Sequence, residues 1–160
     1  MIKNILTQLA IPFQEFTHPP LFTTADSHLA PPMPGAKNKN LFLRNRKGDR
    51  YFMISLTQDK QADLKKIADM IGVSGGLSFA SPERLKKVLG IEPGCVGILS
   101  LIHDTAKLTS VYIDEDLLKA EWFQSHPDVN TATVCFKTAD LKKFFESTGH
   151  PFQPMKLEWE

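Results

Sequence analysis

Leu41-Phe-Leu-Arg44 and Tyr51-Phe-Met-Ile-Ser-Leu56, separated by the polar stretch Arg46-Lys-Gly-Asp49, read as two strands joined by a turn. Aromatic and branched side chains dominate both flanks, and Gly48 beside Asp49 supplies turn chemistry, so the pair is expected to form a hairpin. Working outward, further strands are predicted at Phe13–Thr17, Val96–Ile102, Leu108–Ile113 and Ala132–Lys137.

Four segments between these carry helical period. Ile2, Ile5, Leu6 and Leu9 share one face, as do Leu64, Ile67, Ala68 and Ile71, with Gly72 as the stop. Ser81-Pro82-Glu83 opens a helix with a hydroxyl cap, a proline at the first position and a carboxylate near the positive dipole end. That helix runs through Leu85, Val88 and Leu89 to Gly90. Another starts near Thr138, carries Leu141, Phe144 and Phe145, and ends at Gly149-His150-Pro151. A shorter one is predicted from Asp116 to Trp122. Connections of such varied length do not make a regular β-α-β alternation. The expected class is α+β (mixed α/β), one domain over residues 1–160 with a mixed, barrel-like sheet surrounded by helices.

Six cations (Lys37, Lys39, Arg44, Arg46, Lys47 and Arg50) face only Asp49 between residues 37 and 50, a local +5 in a chain whose formal total is +1. The total excludes a general attraction to polyanions, so any nucleic-acid site is a local patch. By composition this segment is either a solvated hairpin or a phosphate-facing edge. It follows a proline-dense loop, Ala30-Pro-Pro-Met-Pro-Gly-Ala36, whose prolines restrict its freedom.

Cys95 and Cys135 stand far apart, which argues against a disulfide framework or zinc knuckle. The five histidines (His18, His28, His103, His126 and His150) show no metal-ligand spacing, and no metal or cofactor is expected. No P-loop, dinucleotide fingerprint or G-x-S-x-G elbow occurs, and Ser125 beside His126 is no catalytic pair because strand neighbours point apart. A hydrolase of this composition would have to use water or the substrate itself as nucleophile. His18, His126 and His150 all precede proline, which biases each to extended backbone at an element edge. The start shows no signal-peptide core, and nowhere is there an apolar run of about 20 residues, so the expected location is cytoplasmic and away from membranes.

Pro34-Gly-Ala-Lys-Asn-Lys-Asn-Leu-Phe-Leu-Arg44 resembles the Lys-Asn-Leu-Phe-Leu signature of the YbaK/prolyl-tRNA synthetase-associated family of editing domains. Leu77–Leu85, His103-Asp-Thr105, His126-Pro-Asp-Val-Asn-Thr-Ala-Thr133, His18-Pro-Pro-Leu-Phe22 and Thr148-Gly-His-Pro151 are similar to further blocks in the family's order. The nearest branch by these blocks is the free-standing one that removes alanine from tRNA(Pro). The resemblance implies hydrolysis of mischarged tRNA(Pro), with tRNA as partner and prolyl-tRNA synthetase as a second possible one. Editing is needed because a pocket built for proline cannot exclude the smaller alanine; a missing methylene is worth only about 1–3 kcal/mol.

Carried over residue by residue, the resemblance implies a functional role for Lys39, support from Asn40, and a substrate-fixing or ester-polarising role for His126. It assigns Gly94, Cys95, Val96, Asp104 and Asn130 to substrate binding; the local +5 beside Lys39 makes Lys37, Arg44 and Arg46 the expected tRNA contacts. The attacking water would be organised by backbone groups and the ribose hydroxyl. Two positions depart from the pattern: Ile98 stands where the Gly-x-x-x-Pro loop has proline, and His103 where asparagine precedes Asp-Thr. Both bear on which amino acid is removed. Deacylation of cysteinyl or seryl esters, or tRNA binding without catalysis, are the alternative readings.

Overall fold

The computed structural model describes residues 1–20 and 24–157, without the side chains of residues 24, 25 and 27. Leu21 and Phe22 of the block that begins at His18 lie outside them. In chain order the elements are α1 (Ile2–Gln8), β1 (Phe13–Thr17), β2 (Asn38–Asn45), β3 (Tyr51–Thr57), α2 (Leu64–Ile71), β4 (Leu77–Phe79), α3 (Pro82–Leu89), β5 (Thr109–Asp114), α4 (Glu115–Leu118), β6 (Trp122–Ser125), β7 (Ala132–Lys137), α5 (Leu141–Thr148) and β8 (Phe152–Met155). Short 3-10 turns cover Thr24–Leu29, Ile98–His103 and Thr138–Asp140.

The mixed α+β class holds, but the described strands do not close into a barrel. They form two sheets, one of order β1-β7-β6 and one of order β4-β2-β3-β5-β8. The first is antiparallel throughout. In the second, β2 pairs antiparallel with β3 and β4, while β3-β5 and β5-β8 are parallel.

Each face of the five-stranded sheet has its own core. Phe42, Met53, Val111 and Ile113 point toward the other sheet and pack with Phe123, Val134 and Phe136, with α1, α3 and α5 contributing Leu6, Leu89 and Phe144. On the opposite face Leu41, Leu43, Phe52, Ile54 and Leu56 pack with Ile67 of α2 and with Met155 and Leu157. Cover on both sides is why β3 reads as an almost unbroken apolar run. Burying each of these large side chains contributes about 1.5–3 kcal/mol, so neither core is dispensable.

The hairpin and the helix ends follow the sequence closely. Ser81 Oγ accepts from the Arg84 N–H with Pro82 at the first position, and Gly72, Gly90 and Gly149 close α2, α3 and α5 in left-handed conformation. Three places differ. Val96–Ile102 is no strand: the chain turns at Gly97 and winds into the 3-10 turn, whose Ile98, Leu99 and Leu101 are buried. A short apolar run buried on all sides looks alike as strand or helix. The helix expected over Asp116–Trp122 is the single turn of α4, because Trp122 already begins β6. Strands β4, β6 and β8 carry too little alternation to be recognised, and β8 tolerates Pro154 because it is the outermost strand of its sheet.

Candidate active site

Strand β2 divides the candidate residues between its faces. Its ladder sets Asn40 opposite Ser55, Lys39 opposite Leu56 and Leu41 opposite Ile54. Opposed residues share a face and successive residues alternate. Asn38 and Asn40 therefore face the three-stranded sheet with Phe42, while the stem of Lys39 lies on the side of Leu41 and Leu56. Lys39 is half-buried, and among the described residues its ammonium has no hydrogen-bond or ion-pair partner.

Asn40 is the hub of the inner face. Its Oδ1 accepts a short hydrogen bond from the buried Ser55 hydroxyl. Its Nδ2 donates to the Val96 carbonyl at 3.4 Å and to Asn38 Oδ1 at 3.3 Å. Asn38 Nδ2 donates to the Gln124 carbonyl at 2.9 Å. The Gln124 side chain in turn donates to the Pro34 and Gly35 carbonyls at 3.1 and 3.2 Å, tying down the proline-dense loop. Gly35 (φ +97°) is required there, since a Cβ would stand 2.6 Å from the Trp122 carbonyl oxygen.

Val96 belongs to a loop, residues 94–97, seated against the segment after β6. A Cβ on Gly97 would lie 2.7 Å from Ser125 Oγ and 3.1 Å from both the N and O of His126, so the two backbones touch. Cys95, half-buried, receives the Asn130 N–H. Gly94, Cys95 and Val96 are thus brought together with Asn40, His126 and Asn130. Burial pushes the Cys95 thiol up, outweighing that hydrogen bond, and pushes Cys135 up to about 11. Neither supplies a thiolate at neutral pH.

His126 Nδ1 lies 3.0 Å from the Ala132 carbonyl. A carbonyl only accepts, so Nδ1 carries the proton and Nε2 of the neutral ring is an acceptor. Burial pushes the His126 pKa below 6.5 and the neighbouring His18 adds to this, although the Ala132 carbonyl opposes it; the ring is neutral at pH 7. His18 meets it edge-on at 6.3 Å and is itself fixed by the Pro19 carbonyl and Thr133 Oγ1, both at 2.9 Å.

Asp128, between His126 and Asn130, has φ +67°. Its Oδ1 accepts from Ser100 Oγ at 2.8 Å and its Oδ2 lies 2.6 Å from His103 Nε2. The 3-10 turn is thereby tied to the loop that carries His126. His103, one of the two positions that depart from the family pattern, is engaged in this tie; Ile98, the other, is fully buried in the first core.

Other predicted residues lie elsewhere. Asp104 is buried; its carboxylate accepts from the Leu108 and Thr109 N–H groups at 3.1 and 2.9 Å and pairs with His150 Nε2 at 2.9 Å. That cluster sits where Thr109 pairs with Tyr51, whereas Lys39 pairs with Leu56, five residues and about 17 Å along β3. Arg44 pairs with Tyr51, so it and Arg46 stand at the far end of the hairpin from Lys39; Lys37 stays beside it, exposed. Sequence reasoning missed Asn38, Ser55, Ser100, Gln124 and Asp128. Only Asn38 and Asp128 had a signal, lying inside the quoted blocks; the others meet the site through pairing that one chain does not advertise. Among the described residues no three His, Cys, Asp or Glu side chains converge as metal ligands.

The model of the aminoacyl-tRNA editing domain matches residues 18–144, the span that holds every contact just described around Asn40 and His126. The chain belongs to the aminoacyl-tRNA editing domain family. The prolyl-tRNA editing protein ProX of Acetoanaerobium sticklandii is 36% identical over 119 residues, 74% of this chain and 72% of that protein. The prolyl-tRNA synthetase associated domain-containing protein 1 of Bos taurus is 33% identical over 157 residues, covering 93% and 89% of the two chains. A solved structure described as a candidate trans-editing enzyme for prolyl tRNA synthetase shares the fold, with a TM-score of 0.70 at 21% identity over 98% of this chain and 95% of that one. Within the editing-domain family, this chain sets a neutral histidine and a glycine-bounded loop around one asparagine hub, with Lys39, which has no partner among the described residues, on the other face of β2.

Proposed function

We propose that this protein is a trans-editing deacylase that hydrolyses the ester of mischarged tRNA(Pro), with alanyl-tRNA(Pro) as its substrate. The observation that carries this reading is the convergence of Asn40, the 94–97 loop and a neutral His126 whose Nε2 has no hydrogen-bond partner among the described residues. Water adds to the ester carbonyl, the carbon passes through a tetrahedral oxyanion, and the ribose oxygen leaves with a proton. His126 Nε2 accepts a hydrogen bond from the attacking water or from the vicinal ribose hydroxyl and so aligns it; general-base assistance of this kind contributes about 10²–10⁴-fold. Lys39, on the strand edge that β4 leaves uncovered, holds the phosphate or sugar of the terminal adenosine. Asn40 fixes the Val96 carbonyl, and the loop around Cys95 and Val96 shapes a pocket that admits alanine. The high thiol pKa values support water rather than cysteine as nucleophile. Prolyl-tRNA synthetase, which makes the mischarged substrate, is the second partner in this reading.

The test is deacylation without added metal of alanyl-, seryl-, cysteinyl- and prolyl-tRNA(Pro). Alanyl-tRNA should be hydrolysed and prolyl-tRNA spared. Lys39→Ala should lower turnover about ten- to a hundredfold, the worth of a charge-assisted hydrogen bond, and Lys37→Ala far less. Equal loss in both variants makes Lys39 a plain surface cation. Tight tRNA binding with no hydrolysis of any ester would make the protein a non-catalytic binder.

A further inference from the structure

His18 and His126 occupy matching places in the three-stranded sheet. Strand β7 lies in the middle and runs antiparallel to both neighbours, so the C-terminal ends of β1 and β6 flank its start. Each histidine is the first residue beyond its strand, and each precedes a proline, which keeps its backbone extended. His18 continues the ladder by one step, its N–H donating to the Thr131 carbonyl at 2.9 Å. One step past the pairing of Ser125 with Val134, His126 comes opposite Thr133. Opposed residues share a face, and alternate residues do too, so both rings stand on the side of the sheet that carries Thr133.

The two rings are held differently. Both ring nitrogens of the buried His18 are engaged, Nδ1 with the Pro19 carbonyl and Nε2 with the buried Thr133 hydroxyl, each at 2.9 Å. A hydroxyl donates or accepts, so this anchor serves either protonation state of the ring. His18 therefore has no nitrogen left for a substrate. His126 makes one ring hydrogen bond, to the Ala132 carbonyl, and keeps Nε2 in reserve. The last torsion of a histidine side chain is broad and roughly two-fold, so one bond leaves the ring able to swing about it. The His18 ring opposes that swing: it stands edge-on to His126, with centroids 6.3 Å apart and planes 62° from parallel, within the range of favourable aromatic pairs.

We propose that His18 is a positioning residue for deacylation: anchored by Thr133, its ring fixes the His126 ring with Nε2 toward the ester. The two histidines divide the work, one held at both nitrogens to act as a stop, the other held at one and left with an acceptor for the substrate. The role in turnover rests on the deacylase reading above; the fixed ring is a property of the free protein and does not need hydrolysis.

The experiment pairs NMR of the histidine ring nitrogens in the full chain with kcat and KM for alanyl-tRNA(Pro). The variants are His18→Ala, His18→Phe, Thr133→Val and Thr133→Ser, and the His126 signals are assigned by their loss in His126→Gln. Wild type should show one His126 tautomer, protonated at Nδ1. His18→Ala and Thr133→Val should show a mixture and lower kcat about ten- to a hundredfold with KM kept, the cost of a misplaced catalytic group. His18→Phe, which returns an aromatic edge, and Thr133→Ser, which returns the hydroxyl, should each recover part of that loss. Thr133→Val added to His18→Ala should lower kcat no further. If His18→Ala does not fold, the two Thr133 variants decide. A single tautomer with wild-type kcat in Thr133→Val or His18→Ala overturns the proposal, as does a loss confined to KM or no recovery in either conservative variant. A wild-type chain that hydrolyses no mischarged tRNA, yet whose His126 ring loosens in both disruptive variants, sinks the deacylase reading alone. Hydrolysis by a chain whose His126 ring is indifferent to His18 sinks the positioning alone.

Discussion

His103 Nε2 lies 2.6 Å from Asp128 Oδ2, and this contact holds a residue with positive φ beside the candidate catalytic histidine. A left-handed conformation costs an ordinary L-residue about 1–2 kcal/mol, less for asparagine and aspartate, and persists where the surroundings over-determine it. Here Ser100 and His103 do so from the 3-10 turn.

Asp128 variants should separate the backbone from the carboxylate. Asp128→Ala loses both and leaves the buried Ser100 hydroxyl without its acceptor, a destabilisation of about 1–3 kcal/mol. Asp128→Asn should be the mildest change, since asparagine tolerates the conformation and still accepts from Ser100. Asp128→Gly should fall between them. Chemical denaturation of the three variants measures the order, and an alanine variant as stable as the asparagine one would show that the tie carries no weight.

Gly97→Ala should disturb the site more than the fold. The added methyl meets Ser125 Oγ at 2.7 Å and the His126 backbone at 3.1 Å, an overpacking of about 1–3 kcal/mol. For a chain of this length that lowers the melting temperature by about 3–9 °C. Deacylation should drop further than stability accounts for, because the displaced group is the backbone of His126. Adding Ser125→Ala removes the tightest contact and should restore part of the melting temperature. A double variant no better than Gly97→Ala would place the strain elsewhere.

The pH profile of deacylation should carry the mark of a neutral histidine. Burial holds the folded pKa of His126 below 6.5, so an acceptor at Nε2 is intact at pH 7 and is lost as pH falls through that lowered value. The same group lets the unfolded chain bind more protons below 6.5, so its contribution to stability also falls on that side. Single-turnover rates between pH 5 and 8 should show an acidic limb, and His126→Gln should slow the reaction and flatten it. A wild-type rate that rises toward acid would require the protonated ring.

The hairpin was legible because two runs of aromatic and branched side chains flank a polar glycine turn, and the helices because Ser81, Gly72 and Gly90 mark their ends. The 94–103 segment was not: Val96, Ile98, Leu99 and Leu101 are apolar in a row, and only the contact of Gly97 with Ser125 shows why the chain must turn there. Lys39, Asn40 and His126 could be singled out from local blocks, since each block is short and contiguous. Their disposition could not. Which face of β2 a residue occupies depends on its partner in β3, and the separation of Arg44 from Lys39 depends on the hairpin lying extended.

Because adjacent residues of β2 serve opposite sides of the sheet, the strand cannot slip. A one-residue slip of β2 against β3 would exchange a hub asparagine for a lysine or leucine, and would turn Phe42 out of one core and Leu43 out of the other. A change of length inside β2 that forces such a slip disturbs site and core together. Length is free to change only in the turn between Asn45 and Arg50, beyond the last residues this ladder pairs.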